Sequence, residues 1–194
     1  MSIEDPREIK RALRAEVRER RARISPAERA VAEAQLAKRL TSLVADRGVS
    51  RVAAFIPTET EPPITAGLEA LTARGIDILL PISRPDRTMD WARHPAGEEF
   101  SVDELGMPAP VGAIVDSTTV NSVELVLCPA ALVDQAGYRL GWGLGYYDRF
   151  LAALPQDPAV IAVVFDEDFV DAVPRESHDH PVTGVLTPLR SLRF

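Results

Sequence analysis

The sequence predicts an α/β fold with a mostly parallel sheet covered by helices on both faces. Two observations carry this. Four short apolar runs stand between turn formers: RVAAFIP at 51–57, IDILLP at 76–81, ELVLCP at 124–129 and AVIAVVF at 159–165. They lack the alternation of a half-exposed strand and read as strands buried on both faces. Helical patterns also alternate with these runs, which favours crossover connections and a parallel sheet. Ligands of such sheets sit outside the carboxyl ends of the strands. The loops after Ile56, Pro81 and Cys128 are therefore where chemistry is expected.

Two helices open the chain. Asp5-Pro6-Arg7-Glu8 offers an N-cap, a proline at the first helical position and an acid in the first turn. The helix is expected to run to about Ile24, with Ile9, Leu13 and Val17 as one apolar stripe. Ser25-Pro26-Ala27-Glu28 repeats the start signal. The second helix carries Val31, Leu36, Leu40 and Leu43 and stops at Gly48. Further on, a helix is expected over Ile64 to Arg74, with Leu68 and Leu71 inward and Gly75 ending it. Ser83 to Ser122 is rich in Pro, Asp, Gly and Thr and reads as loops, with a short strand around Met89 to Arg93. Tyr146 to Leu154 reads as a helix entered from a Gly-rich loop, and Val185 to Thr187 as a fifth strand. Neither an internal repeat nor a low-complexity segment interrupts the pattern, so residues 1–194 read as one domain.

Composition narrows the class. The chain has 194 residues, 46% hydrophobic and 26% charged, as one globular α/β or α+β domain would. Its single cysteine, Cys128, lies in an apolar run and reads as a small buried hydrophobe, not a nucleophile. The opening residues lack an apolar signal-peptide stretch, and AVIAVVF is far shorter than the ~20 residues that span a bilayer. A cytoplasmic protein without a membrane partner is expected. The net charge of −7 argues against nucleic acid as the main partner. The first helix is nevertheless rich in Arg: Arg7, Arg11, Arg14, Arg18, Arg20, Arg21 and Arg23, with Lys10. A small anion can bind such a region.

The strongest local signal is G-Y-R-L-G-W-G-L-G-Y-Y-D, Gly137 to Asp148. Gly141, Gly143 and Gly145 alternate, which lets a backbone approach an anion and take positive φ. Successive N–H groups there, with the N-terminus of the following helix, can form a concave anion site. Arg139 adds positive charge, Tyr146 and Tyr147 add flat surfaces, and Asp148 is a carboxylate of the kind Mg²⁺ uses beside phosphate oxygens. The same residues also suit a tight turn packed on a helix. The spacing fits neither the dinucleotide pattern G-x-G-x-x-G nor the P-loop.

The longer string VDQAGYRLGWGLGYYDRFL, Val133 to Leu151, closely resembles the signature of the 5-formyltetrahydrofolate cyclo-ligases, roughly D-x-x-G-x-R-L-G-x-G-x-G-Y-Y-D-R. Lys10-Arg11-Ala12-Leu13-Arg14 resembles the family's K-x-x-L-R element. Phe55 to Glu61 resembles its folate-contacting stretch, Gly106 to Pro110 its G-x-P-x-P turn, and His178 to Val182 its His-Asp-x-Pro-Val stretch.

The resemblance implies a three-layer α/β/α Rossmann-like domain with a mostly parallel sheet, of the NagB/RpiA/CoA transferase-like type. It implies ATP- and Mg²⁺-dependent conversion of 5-formyltetrahydrofolate to 5,10-methenyltetrahydrofolate with release of ADP and phosphate. Lys10, Arg11, Arg14, Arg139, Leu140, Gly141, Trp142, Gly143, Leu144, Gly145, Tyr146 and Tyr147 would bind ATP. Lys10, Arg14, Arg139 and Tyr146 would act in catalysis. Ile56, Glu61, Trp142 and Tyr146 would bind the folate, and Asp148 would hold Mg²⁺. The implied partners are a reduced folate and ATP, taken by a monomer. Three positions depart from the family pattern. Trp142 replaces a basic or polar residue, Leu144 a Gly or Lys, and Thr183 an Asp that is a proposed metal ligand. They keep two other readings in view: a folate- or nucleotide-binding relative without turnover, and an enzyme acting on another pterin. The His-Asp-His run lacks zinc-ligand spacing and reads as a solvent-edge loop.

Overall fold

In the computed structural model, which describes residues 5–94, 97, 100–176 and 179–194, both opening helices form as their caps dictate. Helix α1 spans Pro6–Ala22, with Asp5 Oδ1 accepting from Arg7 N at 2.9 Å. Helix α2 spans Pro26–Arg47 behind a complete Ser25/Glu28 capping box and ends at Gly48, φ 63°. The chain then gives β1 (Arg51–Ala53), α3 (Thr65–Thr72), β2 (Asp77–Ser83), β3 (Met89–Arg93), β4 (Ser101–Val102), β5 (Pro108–Ala109) and the single turn α4 (Ser117–Val120). β6 (Leu125–Pro129), β7 (Leu132–Asp134), β8 (Arg139–Leu140), α5 (Tyr146–Ala153), β9 (Ala159–Val163), β10 (Phe169–Val170), β11 (Gly184–Leu186) and β12 (Ser191–Arg193) complete it.

The main sheet runs in the order β12-β11-β9-β6-β1-β2-β3. Strands β11, β9, β6, β1 and β2 are parallel, and the two edges, β12 and β3, are antiparallel. The α/β fold with a mostly parallel sheet is thus the one the apolar runs predict. Alternate residues of one run serve opposite layers. Leu125 and Leu127 join the core under α2 and α3, with Leu36, Leu40, Leu68 and Leu71. Val126 and Cys128 join the core on the other face, against which Phe150, Leu151 and Leu154 pack. At ~25 cal/mol per Å² of apolar area, burying each such Leu or Val contributes about 1.5–3 kcal/mol.

Two expectations are corrected. Val31 is 57% exposed; α2 instead buries Ala32, Leu36, Leu40 and Val44, which share a face at four-residue spacing. The expected strand at 51–57 pairs only as Arg51–Ala53. Ala54 still donates to Leu79 O at 2.9 Å, and the chain then leaves the sheet over its carboxyl edge.

A second, three-stranded sheet, β10-β7-β8, lies beyond that edge, and α1 packs on it through Val17 and Leu13, with Leu132, Leu140 and Val173. A buried ion pair fixes the helix there. Arg21 Nε donates to Asp168 Oδ2 at 2.8 Å, and Arg21 Nη2 donates to the carbonyls of Ala130 (2.9 Å) and Ala131 (3.0 Å) just past β6. Arg20 pairs with the same carboxylate. Thus α1 lies at the carboxyl edge of the main sheet, not over a face.

A candidate anion site at the carboxyl edge of the sheet

The β7–β8 hairpin aims the Gly-rich loop. Asp134, wholly buried, accepts from Ala136 N and Tyr138 N at 2.9 Å each and from Val173 N at 3.2 Å. Gly137 turns at φ 83°, and a Cβ there would stand 2.9 Å from Val182 O, so no larger residue fits. β8 then delivers Arg139 and Leu140 into residues 141–145, where Gly143 (φ 96°) and Gly145 (φ 72°) are left-handed, and α5 follows.

Two guanidinium groups engage the loop's carbonyls. Arg14 Nε donates to Gly141 O at 2.7 Å, and Arg149 Nη1 donates to Leu144 O at 3.0 Å. Among the described residues, no amide from Gly141 through Asp148 finds an acceptor. Carbonyls turned to arginines and a run of unpartnered amides make a concave donor surface, continued by the first turn of α5.

Cations and one exposed carboxylate surround it. The Arg139 side chain, 8% exposed, donates through Nη1 to His180 O at 3.3 Å and pairs through Nη2 with Asp148, which is 73% exposed. Lys10 Nζ lies 2.6 Å from Glu176 and 3.6 Å from Asp179. A cavity of about 650 Å³ opens beside the loop, bounded by Arg139, Gly145, Asp148 and Arg149 on one wall and by Asp157, Asp179, His180 and Val182 on the other. Burial, then the charge of Arg18, lowers the pKa of Arg14 from its ordinary value.

The remaining residues singled out in the sequence fall into three groups. Tyr146 donates to Arg84 O at 3.0 Å in the β2–β3 turn, and Tyr147, packed into both cores, donates to Ala54 O at 3.3 Å. Burial, followed by the charges of Cys128 and Glu61, raises the Tyr147 pKa well above that of a free phenol. Glu61 and Ile56 lie on the segment leaving β1, each 8% exposed; Glu61 Oε2 accepts from Thr58 N at 2.9 Å and Thr58 Oγ1 at 3.0 Å. Trp142 lies under the guanidinium groups of Arg18, 5.1 Å from its ring centre, and Arg21, 5.3 Å away. Leu140 is buried on the small sheet, Leu144 is 54% exposed on the rim, and Arg11 lines a separate groove with Glu8 and Ala15.

Cys128 is sealed beneath the loop. Burial pushes its thiol up to about 11 against the pull of Arg139, so at neutral pH it is a protonated thiol. His178 lies outside the described residues. Thr183 Oγ1 donates to Val160 O and accepts from Val160 N, both at 2.9 Å, so its hydroxyl is committed to the sheet.

Among the described residues, no group of three or more His, Cys, Asp or Glu could enclose a metal. The donor set suits a hard cation that arrives with phosphate oxygens and waters and takes one carboxylate, Asp148. Sequence reasoning did not single out Arg18, Arg21 and Arg149 as site residues. The first two continue the Lys10–Arg14 face at helical spacing, a signal that the density of Arg in α1 conceals.

Fold and candidate site define the class: a layered α/β protein with a loop of open amides where the sheet's strands end, bordered by cations from its first helix. The model of the 5-formyltetrahydrofolate cyclo-ligase family matches residues 6–188, and the chain belongs to that family of folate ligases. It is 36% identical over 146 residues to the 5-formyltetrahydrofolate cyclo-ligase of Mycolicibacterium smegmatis, covering 73% of this chain and 75% of the relative. The NMR structure of Aquifex aeolicus 5,10-methenyltetrahydrofolate synthetase superposes with a TM-score of 0.79 at 26% identity, over 95% of this chain and 92% of that one. A 5,10-methenyltetrahydrofolate synthetase from Mycoplasma pneumoniae shares the fold, with a TM-score of 0.69 at 20% identity over 91% and 96% of the two chains. No helix among the described residues is long and apolar enough to cross a membrane.

Proposed function

We propose that the protein converts 5-formyltetrahydrofolate and ATP to 5,10-methenyltetrahydrofolate, ADP and phosphate, and that residues 139–148 hold the triphosphate. One observation carries the reading: among the described residues, the amides from Gly141 to Asp148 form an unbroken run without acceptors, beside Arg14, Arg139 and Arg149.

The chemistry asks for alignment and charge neutralisation more than for covalent help. The formyl oxygen attacks the γ-phosphorus and ADP departs. N10 then adds its lone pair to the formyl carbon and the ring closes. The carbon–oxygen bond breaks, expelling phosphate, as N10 gives up its proton and the methenyl cation forms. The amides of Gly141, Gly143 and Gly145 receive phosphate oxygens, and Lys10, Arg14 and Arg139 neutralise the charge that builds on them. Leu140, Trp142, Leu144 and Tyr146 contribute backbone or walls to the same cradle, and Arg11, on its separate groove of the same helix, adds positive charge at a distance. Ile56 packs on the pterin while Glu61, held by Thr58, accepts from its N–H groups. Tyr147 acts from beneath, joining α5 to the exit of β1. A magnesium ion borne by the nucleotide fits at Asp148, where it would supply positive charge to the phosphates.

The test incubates purified protein with 5-formyltetrahydrofolate, ATP and Mg²⁺ and follows the methenyl chromophore. Turnover is expected, and Asp148→Ala is expected to abolish it. Tight folate binding without chromophore would establish the binding-only reading, which the committed hydroxyl of Thr183 favours. The absence of both turnover and folate binding would overturn the assignment. The protein is expected to act in the cytoplasm as a monomer, with sedimentation velocity the check on the latter.

A further inference from the structure

Two buried donors in the candidate site have no acceptor among the described residues: Arg21 Nη1 and Trp142 Nε1. They belong to one cluster. Arg21 Cζ stands 5.3 Å from the centre of the Trp142 ring, and the Arg21 side chain is 1% exposed. The rest of that guanidinium is committed, Nε to Asp168 and Nη2 to the carbonyls of Ala130 and Ala131. The stacking of Arg18 and Arg21 on the indole leaves its N–H unused.

A buried donor without an acceptor forfeits the hydrogen bond that it had in water. Native structures keep such groups where something else brings the acceptor. Asp168 compensates the charge of Arg21, so a neutral acceptor suits this place better than an anion. The phosphates have their own donors in the loop amides. Glu61 lies within electrostatic reach of Arg21. An acceptor carboxylate and a pair of unused donors thus belong to one neighbourhood at the carboxyl edge of the sheet.

We propose that Arg21 and Trp142 together bind the C4 carbonyl oxygen of the pterin, making Arg21 a specificity-determining residue for 4-oxo pteridines; this rests on the folate reading above. One edge of the pterin carries the 2-amino group, N3–H and the C4 carbonyl. Glu61 complements the first two, and the two donors complement the third. The formyl oxygen, next to the C4 carbonyl across the ring junction, has to meet the γ-phosphate. That leaves the C4 carbonyl as the acceptor for these donors.

Trp142→Phe keeps the ring under the guanidinium groups and removes only the N–H. Arg21→Lys keeps a charge beside Asp168 and removes Nη1. Calorimetric titration would compare a matched pair of reduced pteridines, 4-oxo and 4-amino, and a non-hydrolysable ATP analogue. Melting of the ligand-free proteins would be recorded alongside. The parent protein is expected to prefer the 4-oxo compound by tenfold or more. Each variant should bind that compound about tenfold more weakly, the loss of one hydrogen bond, and narrow the preference. For Arg21→Lys the ATP analogue should stay within about twofold, and Trp142→Phe should melt no lower than the parent. Unchanged 4-oxo binding by Trp142→Phe would show that the donors serve a buried water, and would overturn the proposal. Loss of both ligands with a lower melting temperature would overturn it in favour of a purely structural role. A parent protein that binds no folate would overturn the functional reading and this proposal with it, whereas folate binding without preference overturns the proposal alone.

Discussion

At Gly143 a backbone torsion and a charge meet. Its φ of 96° is open to glycine alone at low cost, and a Cβ would stand 3.1 Å from Arg14 Cζ. Gly143→Ala is expected to lose about 1–3 kcal/mol of stability to backbone strain and to push Arg14 off the loop. The KM for ATP should rise tenfold or more while folate affinity holds, as steady-state kinetics with each substrate varied would show. The alternating glycines made this position legible in the sequence. The sequence did not disclose which guanidinium faces it, because α1 offers many and none carries a local mark. Arg21 shows the limit most plainly. In an Arg-rich helix it reads as solvated, and its partner Asp168 lies 147 positions away, beyond any periodicity or short motif.

Among the elements, the long and uniform ones were readable and the short ones were not. Runs such as 124–129 and 159–165 announce β6 and β9 because burial on both faces removes every polar alternation. Strands β7, β8 and β10 have two or three residues each, too few to express a period of two, and the small sheet that seats α1 went unforeseen. That seat rests on a modest apolar cluster and one buried ion pair. Asp168→Ala leaves Arg21 buried without its counter-charge, which typically costs about 3–5 kcal/mol. A drop in melting temperature is expected, together with faster tryptic cleavage within α1. An unchanged melting curve would show that the apolar cluster alone holds the helix.

For the molecule as a whole, a buried histidine contributes to the pH dependence of stability near neutrality. His94 is 7% exposed, neither ring nitrogen has a partner among the described residues, and burial lowers its pKa from 6.5. The unfolded chain then binds a proton at a pH where the folded one does not. The resulting stability is fully present above pH 6.5 and is lost as pH falls toward the depressed folded value. His94→Leu should flatten the decline in melting temperature between about pH 7 and pH 5, as thermal melts across that range would show. The parallel sheet with a core on each face followed from the apolar runs, as did the expectation of a site at the carboxyl edge. The assembly of the candidate site from four separated stretches, near residues 10–21, 54–61, 139–149 and 179–182, is a property of the tertiary fold alone.

The seating of α1 also has a consequence for the order of assembly during synthesis. Lys10 and Arg21 leave the ribosome long before Glu176 and Asp168, their partners 166 and 147 positions later. At ~5–20 residues per second, the cationic helix waits on the order of ten seconds with nothing to dock on. Helix α1 is thus made long before it can be seated, and its contacts with the rest of the fold close only after residues 168–176 have emerged.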